Sequence, residues 1–296
     1  MSHEDVTLEI SGTVATLTLN RPEHRNSFSE PMMEALLTQT QRAVHAPEVR
    51  VIVVTGAGSA FSVGGDLGDF ATGAFAPANL TPAQSASQLR RHVQVVELLR
   101  NSDAVSVAAV HGPCAGAGLG LALACDIRVS STTAVFRTAF LDAALTGDYG
   151  VMWSLVRLVG EAKAKELFFL NPKITAEAAH ATGLVSEVVN ADGLKQRVAE
   201  ISRSLTQKSP GTLRALKRAF RDLPDNLASA LDVESQRQKE RAYAEDAQEA
   251  AAAFLEKRRP VFENNDVQGD GDDSDGSDGQ GDSASHGGSA PESEPS

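Results

Sequence analysis

The chain has 296 residues, 42% hydrophobic and only 5% aromatic, so its core must be aliphatic and rich in alanine. Its formal net charge of −12 is uneven: nine acidic residues and no Lys or Arg lie between Asp266 and Ser296, which leaves about −3 on residues 1–265. A near-neutral body excludes the basic footprint of a nucleic-acid binder. The two cysteines, Cys114 and Cys125, sit in apolar, glycine-rich surroundings and read as reduced, buried thiols, not as a disulfide scaffold. No apolar run reaches the length of a membrane span, and the acidic N-terminus has neither an apolar nor an Arg-rich leader, so a soluble, cytoplasmic protein is expected.

In chain order, Val6 to Asn20 alternates like two short strands joined at Ser11-Gly12. Ser29 stands as an N-cap before a helix with Pro31 in its first turn, running to about Ala46. Val49 to Thr55 is a compact buried strand. A helix is predicted over Pro82 to Asn101 with Leu89, Val93, Val96 and Leu99 inward, then a strand over Val105–Val110, then a short packed helix from Gly116 to Ala124. Strands near Asp126–Ser130 and Val185–Val189 flank two more helices, and the alternation argues α/β. From about Asp192 the strands stop. Ser209 caps a helix over Pro210–Phe220, and one long Ala- and Glu-rich helix is predicted from Leu227 to about Arg258. Such a helix buries too little to stand alone and must pack on the core or on a neighbour. The Asp, Gly and Ser tail from about Asn265 is expected to be disordered.

Two glycine-rich turns each follow a buried strand, Gly56 to Leu67 and His111 to Gly120. Glycines there allow close backbone approach to a ligand, and the second turn opens a helix whose first amides are unpaired. A dinucleotide fingerprint fails, because Gly116, Gly118 and Gly120 are spaced GxGxG and Leu121 stands where the motif needs Gly. No GxxxxGK[ST] phosphate loop exists. Tight strand–helix packing explains the turns equally well at this level. His111 reads as a satisfied core histidine, and the seven His show no metal-ligand spacing.

Asn20-Arg21-Pro22 with Arg25-Asn26-Ser27, Phe61-Ser62-Val63-Gly64-Gly65-Asp66-Leu67, and Gly112 through Leu121-Ala122-Leu123-Ala124-Cys125-Asp126-Ile127 carry a resemblance. So do Arg157-Leu158-Val159-Gly160, Thr175-Ala176-Glu177-Ala178-Ala179 with Gly183-Leu184-Val185, and Ala253-Phe254-Leu255-Glu256-Lys257-Arg258-Arg259-Pro260-Val261-Phe262. Together, over about residues 5–262, they resemble the crotonase (enoyl-CoA hydratase/isomerase) superfamily. The resemblance implies a spiral of repeated ββα units over residues 1–205, a helical trimerisation subdomain over 206–264, and a separate tail over 265–296. It implies a homotrimer, or a hexamer of two trimers. The substrate would be an acyl-CoA, with no cofactor beyond the CoA it carries and no metal.

The implied chemistry is stabilisation of a thioester enolate by two backbone N–H groups, which asks only for correctly aimed amides. The resemblance places those amides on Val63 and Ala117. It places Arg25 and Leu67 near CoA, and Phe254 and Lys257 where C-terminal residues reach CoA, although Lys257 also reads as a solvated charge at a helix end. Asp66, Gly116 and Phe140 fall within the same site, Asp66 chiefly as an organiser of its loop.

Hydratases of this superfamily use two glutamates, and the corresponding positions here are Gly120 and Phe140. Adding water needs a base for the water and an acid for Cα, and neither position supplies one. Instead Asp148, in Leu145-Thr146-Gly147-Asp148-Tyr149-Gly150, matches the catalytic Asp of the superfamily's isomerases. The surround is most similar to the ring-epoxyphenylacetyl-CoA isomerase branch. Asp beside glycine is also a plain turn residue. Asp142 and Asp69 are candidates for a second acid/base. An enoyl-CoA isomerase, a hydratase or lyase using unconventional carboxylates, and a non-catalytic acyl-CoA-binding protein all stay open.

Overall fold

The computed structural model describes residues 4–262, so the acidic tail lies outside the described residues. An antiparallel pair opens the fold, β1 (Val6–Ser11) with β2 (Val14–Leu19). Parallel strands follow: β3 (Val51–Gly56), β4 (Val105–Val110), β6 (Ile127–Ser131) and β9 (Glu187–Val189), giving the order β1-β2-β3-β4-β6-β9. A second, three-stranded sheet joins β5 (Pro113–Ala115), β7 (Val135–Arg137) and β8 (Ile174–Thr175). Sequence periodicity missed this small sheet because strands of two or three residues carry no alternation to read. A bridge from Ser62 to Cys114 extends it. In the middle of the chain each turn of the spiral pairs a strand of the large sheet with one in the small sheet before a helix: β3 with the Ser62 bridge, β4 with β5, and β6 with β7.

The inner strands β3 and β4 read as continuous apolar runs because both faces of the large sheet are covered there. Ile52 and Val54 of β3 enter the main core, while Val51 and Val53 meet α9 (Leu194–Thr206) through Leu194 and Val198. On the main-core side lie α1 (Glu30–His45), which buries Met32, Met33, Leu36, Leu37 and Ala43, and α5 (Ala117–Ala124), buried on all eight residues. A helix apolar all round belongs at the centre of a core. Against it pack α4 (Gln94–Asn101) and α6 (Val151–Val159), with α7 (Glu161–Phe169) on α6, while the short α8 (Ala176–Ala181) lies against β7, β8 and β9. Cys114 and Cys125 are buried and free.

Two helix predictions need correction. The segment expected as one helix over Pro82–Asn101 is two, α3 (Pro82–His92) and α4 (Gln94–Asn101), divided at Val93. Arg91 and His92 are held by Glu34 of α1, whereas α4 is aimed by burial of Val95 and Leu99. The long C-terminal helix is also two, α11 (Leu227–Ala242) and α12 (Glu245–Leu255). Asp246 in the first turn of α12 accepts a hydrogen bond from Ser209 and pairs with Arg241 at 3.6 Å, contacts that local propensity cannot express. The C-terminal helices belong to the same compact unit as the spiral, Met1–Asn264.

The helix α10 (Pro210–Arg221) is pinned to the spiral by one buried cation. The Lys217 ammonium donates to the carbonyls of Leu99 (2.7 Å) and Ala104 (2.6 Å) and pairs with Asp126 at 2.8 Å. Asp126 also accepts from the amide and hydroxyl of Ser106. Removing one member of a buried charged cluster strands the others. Lys217→Met is expected to lower unfolding stability by about 3 kcal/mol, measured as a reduced urea midpoint at unchanged m-value.

Candidate active site

The first glycine turn is held from beneath by Asn26, fully buried with a left-handed φ of 56°. Its Nδ2 donates to the carbonyls of Ala57 (2.9 Å), Ala60 (2.8 Å) and Phe61 (3.2 Å), while its Oδ1 accepts from the Arg21 amide at 2.9 Å. The Ser62 hydroxyl donates to the Asn26 carbonyl at 2.7 Å and accepts from the Gly64 amide at 3.1 Å. Asp66 closes the turn and caps the short helix α2 (Leu67–Ala71): one carboxylate oxygen accepts from the Gly68 amide, the other from Ser27 and Arg21. Burial raises the Asp66 pKa, but the hydrogen bonds from Ser27, Gly68 and Arg21 outweigh it and the net shift is downward. Both oxygens are thus committed to the loop, which makes Asp66 an organiser and not a ligand-binding carboxylate. Asn26 and Ser62 carry as much of this geometry. Both lie inside the motifs quoted above, but nothing in their spacing told which carbonyls they meet.

The second turn runs beside the first. Phe61 donates to the His111 carbonyl, Ser62 to Pro113, and Ala115 back to Ser62. His111 stands half-exposed at the end of β4 with its ring against the Gly58 carbonyl, so it is satisfied but is not the core residue expected. The backbones touch at Gly64, where an added Cβ would lie 2.8 Å from the Ala115 carbonyl and 3.1 Å from the Ala117 nitrogen. Gly116, with φ +54°, faces Gly64 in return.

The expectation for Val63 needs correction. Its amide donates to the Arg25 carbonyl at 3.2 Å and is not free to meet a ligand. Phe28 bonds the Gly64 carbonyl and the Asp66 amide in a parallel bridge, and that pattern turns the intervening Gly65 amide away from it. The Gly65 N–H has no acceptor among the described hydrogen bonds. Ala117 occupies the first position of α5, where the amide has no intrahelical acceptor. Two unpaired amides, Gly65 and Ala117, therefore flank Gly64.

Asp148 lies in the turn before α6. Its Oδ1 is shielded from water and has no hydrogen-bond partner among the described residues. Burial pushes its pKa up from 3.8 to about 6, against a small opposing effect of its own amide. Phe140 links this turn to the glycine turns. Its ring lies within 4 Å of where a Cβ on Gly116 or Gly147 would sit, and it stacks on Phe168 at 6.3 Å between centroids. Asp142 is spent elsewhere, on Arg137 at 2.8 Å and Asn171 at 2.9 Å. The Asp69 side chain makes no hydrogen bond or ion pair among the described residues.

At Gly120 an added Cβ would meet the Tyr149 Cβ at 2.5 Å, the Tyr149 carbonyl at 2.7 Å and Val151 Cγ2 at 2.9 Å. A glutamate is not merely missing there; backbone fills its place. Arg25 is exposed, as are Leu67 (71%) and Phe254 (83%). Lys257 is exposed just past the end of α12 with φ 55°. No described hydrogen bond ties Phe254 or Lys257 to the two turns within one protomer.

A two-sheet ββα spiral whose two glycine turns meet at the start of a buried central helix is the crotonase fold. The enoyl-CoA hydratase/isomerase family profile matches residues 9–265, and the chain belongs to that family. It is 34% identical over 250 residues to the 1,2-epoxyphenylacetyl-CoA isomerase of Escherichia coli (strain K12), covering 84% of this chain and 94% of that one. A trans-2-decenoyl-[acyl-carrier-protein] isomerase of Streptococcus mutans is 28% identical over 88% of this chain and 99% of its own. The crystal structure of an enoyl-CoA hydratase from Polaromonas sp. JS666 superposes with a TM-score of 0.80 at 30% identity, covering 87% of this chain and 99% of that one.

A carboxyl group whose pKa is raised by folding makes the folded state less stable as pH rises through that raised value. The cost is absent below about pH 4, where Asp148 is protonated folded or unfolded, and complete above about pH 6. Asp148→Asn is therefore expected to gain about 1–3 kcal/mol at pH 8, with the gain vanishing near pH 4, measured by melting temperature across that range.

Proposed function

We propose that the chain is an enoyl-CoA double-bond isomerase in which Asp148 moves the proton while the Gly65 and Ala117 amides hold the thioester oxygen. The observation that carries this reading is the Asp148 Oδ1 atom, shielded and unpartnered among the described residues, in a turn that Phe140 links to the second glycine turn. A carboxylate in that state is a competent base with a pKa close to its working pH. It takes a proton from one carbon of the acyl chain, and the electron pair moves onto the thioester oxygen as an enolate. The two amides stabilise that charge without reorganisation. The protonated carboxyl then returns the proton at a second carbon, and the double bond has shifted.

One carboxyl is enough for both halves, so no second acid/base, metal or cofactor beyond the CoA of the substrate enters the scheme. Closure of the Gly120 position by Tyr149 and Val151 argues against a hydratase arrangement. Arg25, Leu67, Gly116, Phe140, Phe254 and Lys257 are assigned to acyl-CoA binding, with Phe254 and Lys257 reaching the site of a neighbouring subunit.

Incubation with a 3-enoyl-CoA and a 2-enoyl-CoA, following migration and hydration together, tests the reading. Asp148→Asn should slow isomerisation by two or more orders of magnitude, roughly the value of a general acid/base, and leave acyl-CoA affinity nearly unchanged. Because Asp148 must start as the carboxylate, the wild-type rate should fall as pH drops through about 6. Full turnover by Asp148→Asn would overturn the assignment, and tight binding without turnover by the wild type would favour a non-catalytic acyl-CoA binder.

A homotrimer, or two stacked trimers, is proposed from the C-terminal helices. The helix α11 buries no residue in the protomer, and Phe220, Leu227, Tyr243 and Phe254 are each more than 70% exposed. Apolar surface on that scale marks an interface. Sedimentation should report three or six chains; a stable monomer at micromolar concentration would refute it.

A further inference from the structure

We infer that Tyr149 determines which reaction the site performs, by filling the space beside Asp148 that a hydration water would need. The inference deepens the isomerase reading and rests on it.

Tyr149 directly follows Asp148 and is 2% exposed. Its φ of 46° is left-handed, between Gly147 (φ 121°) and Gly150 (φ 66°). A non-glycine residue in that region costs about 1 kcal/mol or more and persists only where its surroundings hold it. The conformation turns the ring inward against Phe28, with centroids 5.2 Å apart and planes tilted by 53°. Phe28 is itself hydrogen-bonded to both neighbours of Gly65. The same residue presses on α5, with its Cβ and carbonyl occupying the space a side chain on Gly120 would take. Tyr149 is thus wedged between the Asp148 turn, the first glycine turn and the central helix.

What the residue supplies is chiefly volume; its one side-chain polar atom, the hydroxyl, is shielded and has no hydrogen-bond partner among the described residues. Burial, and then the charge of Asp148, push the Tyr149 phenol up, so it stays neutral. Asp148 has no described ion pair or side-chain hydrogen bond: burial raises it, its own amide opposes, and Tyr149 is the titratable neighbour its charge acts on. Isomerisation moves one proton between two carbons and consumes no water. Hydration puts a water oxygen on Cβ and a proton on Cα, so it requires a water held against the acyl chain. A site kept dry at this point partitions the bound enoyl-CoA toward double-bond migration.

The test compares the full-length wild type with Tyr149→Phe, Tyr149→Leu and Tyr149→Ala. Titration of Asp148 is followed by carbon NMR in the ligand-free proteins, assigned by its loss in Asp148→Asn. Products from 3-enoyl- and 2-enoyl-CoA are then separated into migrated and hydrated species. Tyr149→Ala should lower the Asp148 titration midpoint by about one unit or more and raise the hydrated share by about tenfold or more. Tyr149→Leu should fall between, and serves if the alanine variant does not fold. Tyr149→Phe keeps the volume and should retain the wild-type midpoint and product ratio.

A folded Tyr149→Ala or Tyr149→Leu with unchanged midpoint and ratio overturns the inference while the isomerase reading stands. So does a Tyr149→Phe that shifts the ratio as far as Tyr149→Ala, since the hydroxyl would then be responsible. A wild type that turns over neither substrate overturns the isomerase reading and this inference with it.

Discussion

The first glycine turn can lie against the start of α5 only because Gly64 has no Cβ, and the geometry of the site depends on that contact. A methyl group there would strike the Ala115 carbonyl at 2.8 Å and the Ala117 nitrogen at 3.1 Å. Separating the turns would move the Gly65 and Ala117 amides apart and end their use as a pair. The approach is reinforced on both sides, by the Ser62 hydroxyl on the Gly64 amide and by backbone hydrogen bonds running from Phe61 to Ala115. Asn26 braces the first turn from below with a single side chain. The amides from Phe61 to Gly64 and at Asp66 are spent on these contacts and on Arg25 and Phe28, while those of Gly65 and Ala117, on either side of Gly64, have no acceptor among the described residues.

The segment from Ala139 to Gly150 follows a different economy. Ala139, Ala144 and Tyr149 all hold positive φ, which L-residues avoid. Strain of this kind survives where neighbours over-determine it, and it concentrates at functional sites. Asn171 does much of the holding, accepting from the Ala139 amide and the Thr138 hydroxyl and donating to Asp142. The result is a carboxyl group at Asp148 whose Oδ1 has no partner among the described residues, less stable as an anion than water would make it. A more comfortable residue there would make a steadier protein and a poorer base.

The C-terminal helices contribute differently again. The Lys217 cluster anchors α10 to the ends of α4 and β4, but α11 beyond it buries nothing and α12 buries only Ala253. Their apolar side chains face outward from the protomer. Among the described residues no helix is long and apolar enough to cross a membrane.

Much of the fold was legible in the sequence. The apolar runs of β3 and β4, the Ser209-Pro210 start of α10 and the glycine turns are local signals, since each follows from what a few adjacent residues permit. The motifs shared with the enoyl-CoA hydratase/isomerase family brought the candidate site to within two residues. They also pointed to Asp148, and to the absence of carboxylates at Gly120 and Phe140. What the sequence did not contain was direction. Whether Val63 or Gly65 keeps a free amide depends on which of them meets the Arg25 carbonyl, a contact across 38 residues of chain. Whether Gly120 is an empty position or a filled one depends on Tyr149, folded against it from 29 residues further along the chain. The helix breaks at Val93 and Tyr243, the burial of Lys217 and the isolation of Asp148 Oδ1 are likewise set by partners distant in sequence. Composition and spacing specify which groups are available; hydrogen bonds and desolvation are settled only when the folded chain decides which of those groups face each other and which face nothing.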